Sequence, residues 1–303
     1  MPVKKPSLSL VALPGRRQAM IDLAQEIERR GFPGIYCPSM TNNMALCQSV
    51  AQATERVIVA TSIAPIYSRL PLDYAQAAAF IHEISGGRFR FGVGVSHAPA
   101  HERMGITVGK PLGDMRAFVQ AYHDASRTGD KPPLILATLR KKMIALSAEI
   151  GDGMVFANGA RSHMAASLAV LPAAKRNDPE FFIGNMIPTC ISDDIGAAKA
   201  VNRRTLQSYV QLPNYRNYWK EAGFEEEMTG VETAMAAGDQ VAITKCMSDA
   251  WLADSTIFGP VSHVLDEVEK WRDAGIREPI IVPSSAAGNQ FKAFEEAFAA
   301  FED

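Results

Sequence analysis

Short apolar runs and longer stretches with a three-to-four-residue apolar rhythm alternate along the whole chain. Ser7–Leu13 is the first apolar run, and Arg16–Arg30 follows with a helical rhythm that stops at Gly31. Gly34–Cys37 is short, apolar and ended by Pro38, after which Thr41, Asn42 and Asn43 offer N-caps for a helix to about Thr54. Arg56–Ile63 is rich in β-branched residues and bounded by Pro65. Pro71 suits the first position of a helix to about Ile84, and Ser85, Gly86 and Gly87 end it. In the next strand, Arg88–Val95, the residues Phe89, Phe91, Val93 and Val95 alternate strictly with other types. A loop follows, then a helix over Leu112–Ser126, a strand over Pro133–Ala137 and a helix over Arg140–Ile150. Gly153–Ala157 predicts a strand, about Arg161 to Lys175 a helix, and Phe181–Ile191 a strand interrupted at Pro188. Ser192 can cap a helix over Asp193–Tyr209, with Asp193 and Asp194 well placed in its first turn. Helical segments from Tyr215 to about Trp251 follow. A helix over Val261–Ala274, a strand over Pro279–Val282 and a helix over Gln290–Phe301 complete the series.

Eight strands each precede a helix, and the strands are apolar runs suited to a parallel sheet covered by helices. This predicts the α/β class and a (β/α)8 TIM barrel, read as one domain over residues 1–303. A helical insertion of about residues 212–256 would lie between strands seven and eight. A doubly wound sheet is the rival, but the turn after the first strand lacks the glycines that such folds carry there.

Composition narrows the function classes more than the fold. The formal net charge of 303 residues is −2, so no bulk charge draws the chain to nucleic acid or an anionic membrane. The cysteines, Cys37, Cys47, Cys190 and Cys246, match no zinc or disulfide spacing and read as reduced thiols of a cytoplasmic protein. The first fifteen residues make a poor signal peptide, and no apolar run approaches the roughly 20 residues of a membrane span.

In barrels the chemistry gathers at the C-terminal ends of the strands. Here those ends carry Cys37-Pro38-Ser39-Met40, Thr61-Ser62-Ile63, Gly94-Val95-Ser96-His97, Ala137-Thr138-Leu139-Arg140, Ala157-Asn158 and Pro188-Thr189-Cys190. They hold no pair of carboxylates, no nucleophile elbow and no metal-binding cluster. Small, apolar and hydroxyl side chains suit a flat cofactor that supplies the chemistry while the protein orients it. Gly92-x-Gly94 lacks the third glycine and immediate helix of a dinucleotide loop, so close approach to the strand backbone is the better role, with interior crowding as its equal. His97 and His101 lack further ligands, and Pro99 speaks against one helix through both, so no metal is expected. His97 remains as a polar contact to cofactor or substrate, or to its own loop.

The segment Ser68–His97 carries Arg69, Pro71, Ser85, Gly87, Arg88, Phe89, Gly92 and Gly94 in the pattern of one family. Gly151–Val155 and Ile257–Ile276 carry two more of its segments. On these residues the chain resembles the bacterial luciferase-like superfamily from about Leu8 to Pro283. The resemblance implies a TIM barrel with an insertion and a reduced FMN or deazaflavin F420 cofactor, and it is nearer the F420-dependent branch. It implies a non-prolyl cis peptide at Ser62–Ile63 against the cofactor ring. The implied cofactor contacts are Ser39, Ser62, Ile63, Gly94, Val95, Ser96, His97, Ala137, Thr138, Leu139, Arg140 and Asn158. A helix beginning near Arg140, Lys141 and Lys142 suits a phosphate. Strand two lacks the histidine of several deazaflavin dehydrogenases, which leaves hydride transfer to an activated acceptor, or an activity whose acid is His97, Tyr67 or a substrate group; His97 is the candidate catalytic residue. The expected activity is F420-dependent hydride transfer to or from a small organic substrate, in a homodimer. The alternatives are an FMN-dependent monooxygenase and a non-catalytic deazaflavin- or flavin-binding protein.

Overall fold

The computed structural model describes residues 4–40 and 42–302, so Thr41, one of the expected helix caps, lies outside the described residues. The described residues divide into two compact units, Lys5–Phe156 with Val170–Gly184, and Lys4 with Ala157–Ala169 and residues 185–302.

In the unit Lys5–Phe156, strands and helices alternate: β1 (Ser7–Ser9), α1 (Arg17–Arg29), β2 (Gly34–Cys37), α2 (Asn43–Ala53), β3 (Ile58–Thr61), β4 (Ala64–Pro65) and α3 (Pro71–Ile84). They continue with β5 (Phe89–Gly94), α4 (Ala98–Met104), α5 (Pro111–Asp124), β6 (Leu134–Ala137), α6 (Lys141–Ile150) and β7 (Gly153–Ala157). The strands pair in parallel, with Ile35 beside Leu8, Val59 beside Ile35, Phe89 beside Val59 and Leu134 beside Phe91. The short β4 is an addition to the expected strands and runs beside the end of β5, Pro65 opposite Gly94.

The alternation in β5 now has a physical reason. Phe91 packs against Tyr74 of α3 at 5.3 Å and Tyr122 of α5 at 5.4 Å between ring centroids. Phe89, Phe91 and Val93 are fully buried, and each contributes about 1.5–3 kcal/mol of apolar burial. The alternate positions Gly92 and Gly94 turn to the opposite face, where neighbouring strands leave no room for a side chain.

In the other unit a single 3-10 turn at Arg161–His163 leads to α7 (Met164–Leu168), while α8 (Ala173–Asn177) belongs to the first unit. The single helix expected from Arg161 to Lys175 is therefore broken, because Pro172 cannot donate to a preceding turn. β8 (Phe182–Ile191) runs through Pro188 without interruption, since the fixed φ of proline is extended enough for a strand and costs it one donor. Next come α9 (Ile195–Val210), α10 (Pro213–Glu221), α11 (Glu225–Ala236), α12 (Gln240–Cys246) and α13 (Asp249–Ser255). Asp194, and not Ser192, caps α9 by accepting from the Ala197 amide at 2.9 Å; the Ser192 hydroxyl instead accepts from the Asp194 amide at 3.2 Å. The short β9 (Ile257–Gly259), α14 (Val261–Asp273), β10 (Glu278–Ser284) and α15 (Gln290–Ala300) complete the unit. β9 is a second addition to the expected strands and pairs in parallel with the end of β8.

The helices α10–α13 have a core of their own. Tyr215, Trp219 and Trp251 form a chain of ring contacts at 5.4 and 4.9 Å, and both tryptophans are fully buried. The stretch after β7 is bonded to these helices: the Ala160 amide donates to the Tyr218 hydroxyl at 3.0 Å, and Ser162 bonds Asp254 through its amide and hydroxyl. Among the described residues, no helix is long and apolar enough to cross a membrane.

Candidate active site

The C-terminal ends of β3, β5 and β6 stand side by side and carry most of the expected residues. The Ser62–Ile63 peptide is cis, as the family resemblance implied. The segment is bonded on every side. The Thr61 hydroxyl donates to the Gly92 carbonyl at 2.7 Å, and the Ser62 amide donates to the Cys37 carbonyl at 2.8 Å. The side-chain amide of Asn43 donates to both the Cys37 carbonyl at 3.2 Å and the Ile63 carbonyl at 3.1 Å.

Gly92 and Gly94 serve this packing. A Cβ on Gly92 would stand 2.0 Å from the Thr61 carbonyl oxygen. One on Gly94 would stand 2.8 Å from the Ile63 side chain and 2.9 Å from the Ala137 Cβ. Of the two roles weighed for this glycine pair, close packing of the protein against itself is the one with visible partners.

Beyond β5 the chain turns through Ser96, whose φ of 61° is left-handed, a conformation that costs such a residue about 1–2 kcal/mol. His97 then takes the N-cap position of α4, so Pro99 falls in the first turn of that helix, where its missing amide hydrogen breaks no bond. The helix holds His101 and leaves His97 outside it, at the cap. Burial lowers the pKa of His97, and the neighbouring His101 lowers it further. His101 donates from Nε2 to the Val95 carbonyl at 2.6 Å, and its ring meets the edge of Tyr67 at 5.3 Å. The Tyr67 hydroxyl donates in turn to Asp114 at 2.7 Å, and burial together with Asp114 pushes its pKa up. His101 is thus a clamp on the loop. Among the described residues no three His, Cys, Asp or Glu side chains stand close enough to hold a metal ion.

At the end of β6 the Thr138 amide donates to the Val155 carbonyl at 2.9 Å. The Thr138 side chain is 5 % exposed, and its hydroxyl has no hydrogen-bond partner among the described residues. Leu139 is buried beside it, and Arg140 caps α6, with Lys141 and Lys142 exposed in the first turn. A buried hydroxyl next to a helix N-terminus is a donor set for an anionic or carbonyl oxygen.

Ser62, Ile63, Gly94, Val95, Ser96, His97, Ala137, Thr138, Leu139 and Arg140 therefore share three adjacent strand ends. Ser39 is exposed in the loop after β2. Asn158 belongs to the other unit, where it is buried with a φ of 56° and its side chain bonds the Tyr209 hydroxyl. Two residues were not read as part of the site. Asn43 looked like a helix cap, although Asn42 fills that role by accepting from the Ala45 amide at 3.2 Å. Ser9 at the end of β1 is buried, and its hydroxyl lacks a partner among the described residues. Nothing in a short apolar run distinguishes such a serine.

Several motif residues turn out to be structural. All five N–H donors of Arg88 are used: on the carbonyls of Ser85, Ala51, Thr54 and Val57 and on the Thr54 hydroxyl, at 2.7–3.2 Å. The Asp152 carboxylate accepts from the Leu134 amide at 2.8 Å and ties the start of β6 to the approach of β7.

The luciferase-like monooxygenase family model matches residues 8–278. A 5,10-methylenetetrahydromethanopterin reductase of Archaeoglobus fulgidus is 24 % identical over 289 residues, spanning 84 % of this chain and 86 % of that protein. Among solved structures, the coenzyme F420-dependent tetrahydromethanopterin reductase of Methanopyrus kandleri superposes with a TM-score of 0.76 at 16 % identity, covering 98 % of each chain. An F420-dependent secondary alcohol dehydrogenase, solved with an F420–acetone adduct, gives 0.71 at 16 % identity, covering 99 % of this chain and 100 % of that one. The fold these likenesses establish is the (β/α)8 barrel.

Proposed function

The chain belongs to the luciferase-like monooxygenase family, and from that premise we propose that it binds coenzyme F420 and exchanges a hydride with a small organic substrate. The relatives named for F420 support the cofactor. The observation that carries the reading in this chain is the buried Thr138 hydroxyl just before α6, which has no partner among the described residues.

The residues present fit a flat ring with an anionic tail. Thr138 and the first-turn amides of α6, with Arg140 beside them, would hold the phosphate. Ile63 would present an apolar wall to the ring, with its carbonyl already held by Asn43. When bound, F420 supplies a two-electron hydride donor or acceptor. The protein's part is then to bind, to exclude water and to handle one proton. His97, whose pKa burial lowers, is the group suited to take that proton on its imidazole. The end of β2 and the loop after it carry Cys37, Pro38, Ser39 and Met40, and no general base, which favours an activated acceptor over an alcohol.

Titration of the purified protein with F420 and with reduced FMN, followed by cofactor fluorescence, tests the reading. Quenching of F420 without affinity for reduced FMN is expected. The reverse preference would favour a flavin monooxygenase. Absence of turnover of reduced F420 by any enone, quinone or imine would favour a binding protein without catalysis.

A homodimer is proposed on a second observation. α2 carries no charged residue, and the neighbouring α3 exposes Leu72 at 49 % and Phe80 at 50 %, with Leu70 before it at 75 %. Outer helices of a barrel that face water are normally charged, so this surface suits a second copy. Sedimentation velocity should show a dimer that Phe80→Glu converts to monomer.

A further inference from the structure

The entry to α2 carries two asparagines with separate tasks. The Asn42 side chain accepts from the Ala45 amide and from Arg69, each at 3.2 Å, and so completes the helix cap. Asn43, the first helical residue, has no capping to do. It is 5 % exposed, and its amide nitrogen bridges two backbone carbonyls that belong to different strand ends, Cys37 after β2 and Ile63 after β3. The Cys37 carbonyl also accepts from the Ser62 amide at 2.8 Å. Three groups thus converge on one junction, and Asn43 contributes both side-chain hydrogens to it. No serine or aspartate could do the same, because a hydroxyl has one hydrogen and a carboxylate none.

We propose that Asn43 is a positioning residue of the active site, fixing Ile63 against the end of β2 so that the cofactor meets a wall of set position. This rests on the cofactor reading above and deepens it. Asn43 touches no reacting atom in that reading; it acts through Ile63. An isosteric leucine would keep the packing and remove both donors, leaving the Ile63 carbonyl without Asn43 and the Cys37 carbonyl with the Ser62 amide alone.

The test compares wild type, Asn43→Leu and Asn43→Asp at a temperature where circular dichroism shows all three folded. F420 affinity is read by fluorescence quenching, and ring placement by the visible circular dichroism of the bound cofactor. Both variants are expected to weaken F420 binding by roughly tenfold or more, about the net worth of one or two hydrogen bonds, and to alter the visible band. Equal affinity with an unchanged band would make Asn43 merely structural and overturn the inference while the cofactor reading stands. Failure of wild type to bind F420 or reduced FMN would overturn both. If neither variant folds, Asn43→Ser, with one hydrogen left, is read by the same two signals and is expected to fall between.

Discussion

The two ends of the strands in the unit Lys5–Phe156 treat polar groups in opposite ways. At the N-terminal ends Glu28, Arg88 and Asp152 are held by backbone groups. The Glu28 carboxylate accepts from the amides of Glu55, Arg56 and Val57 at 2.5–3.0 Å, just before β3. Arg88 donates to four carbonyls just before β5, and Asp152 holds the first amide of β6. At the C-terminal ends the hydroxyls of Ser9 and Thr138 are buried without partners among the described residues, Ser96 is left-handed, and burial lowers the pKa of His97. Burying a polar group unpaired costs free energy in a folded chain, so the second end is arranged for something other than stability. The contrast separates residues that shape the barrel from residues available to a ligand.

The sharpest break should come from Arg88→Ala. It strips four carbonyls of a charged donor and is expected to destabilise by about 3–5 kcal/mol in urea titrations. F420 affinity of the molecules that remain folded should be unchanged. Gly94→Ala crosses the boundary between the two regions. The new methyl group has Ile63 and Ala137 within 3 Å, so a loss of about 1–3 kcal/mol is expected together with weaker F420 binding. A stability loss with intact binding would show that the Ile63 side chain can move without consequence for the cofactor.

Thr138→Val should do the reverse of Arg88→Ala. Removing an unpartnered buried hydroxyl is expected to leave stability unchanged or up to about 1 kcal/mol higher, while F420 affinity falls roughly tenfold. A lower urea midpoint with unaltered affinity would assign Thr138 to the framework. The smallest effects concern pH and should divide by region. Both His97 and Glu28 have folded pKa values below their unfolded ones, so each contributes stability above its unfolded value and loses it as pH falls. For Glu28, burial alone would raise the pKa, but the bonds from Val57, Arg56 and Glu55 outweigh it. Stability should therefore fall in two steps, the first below about pH 6.5 and the second below about pH 4.3. His97→Gln should erase the first step and Glu28→Gln the second in pH-dependent urea denaturation.

Alternating runs, turn residues and proline positions were sufficient to predict a (β/α)8 barrel, because hydrophobic periodicity is a local property of neighbouring side chains. The same local signals located the strand ends where Ile63, Gly94, His97 and Thr138 stand. They could not say that Gly92 faces the Thr61 carbonyl, that Asn43 bridges Cys37 and Ile63, or that Arg88 is wholly engaged in the framework. Those pairings join residues between twenty and forty positions apart in several cases, and parallel strand register decides them. The uninterrupted run of β8 through Pro188 has a related reason, since tolerance of a proline depends on which amide the fold leaves unused. The type of each element was written into its own residues; the hydrogen-bond partners, and with them the division between framework and site, came into being only when distant strands were brought together.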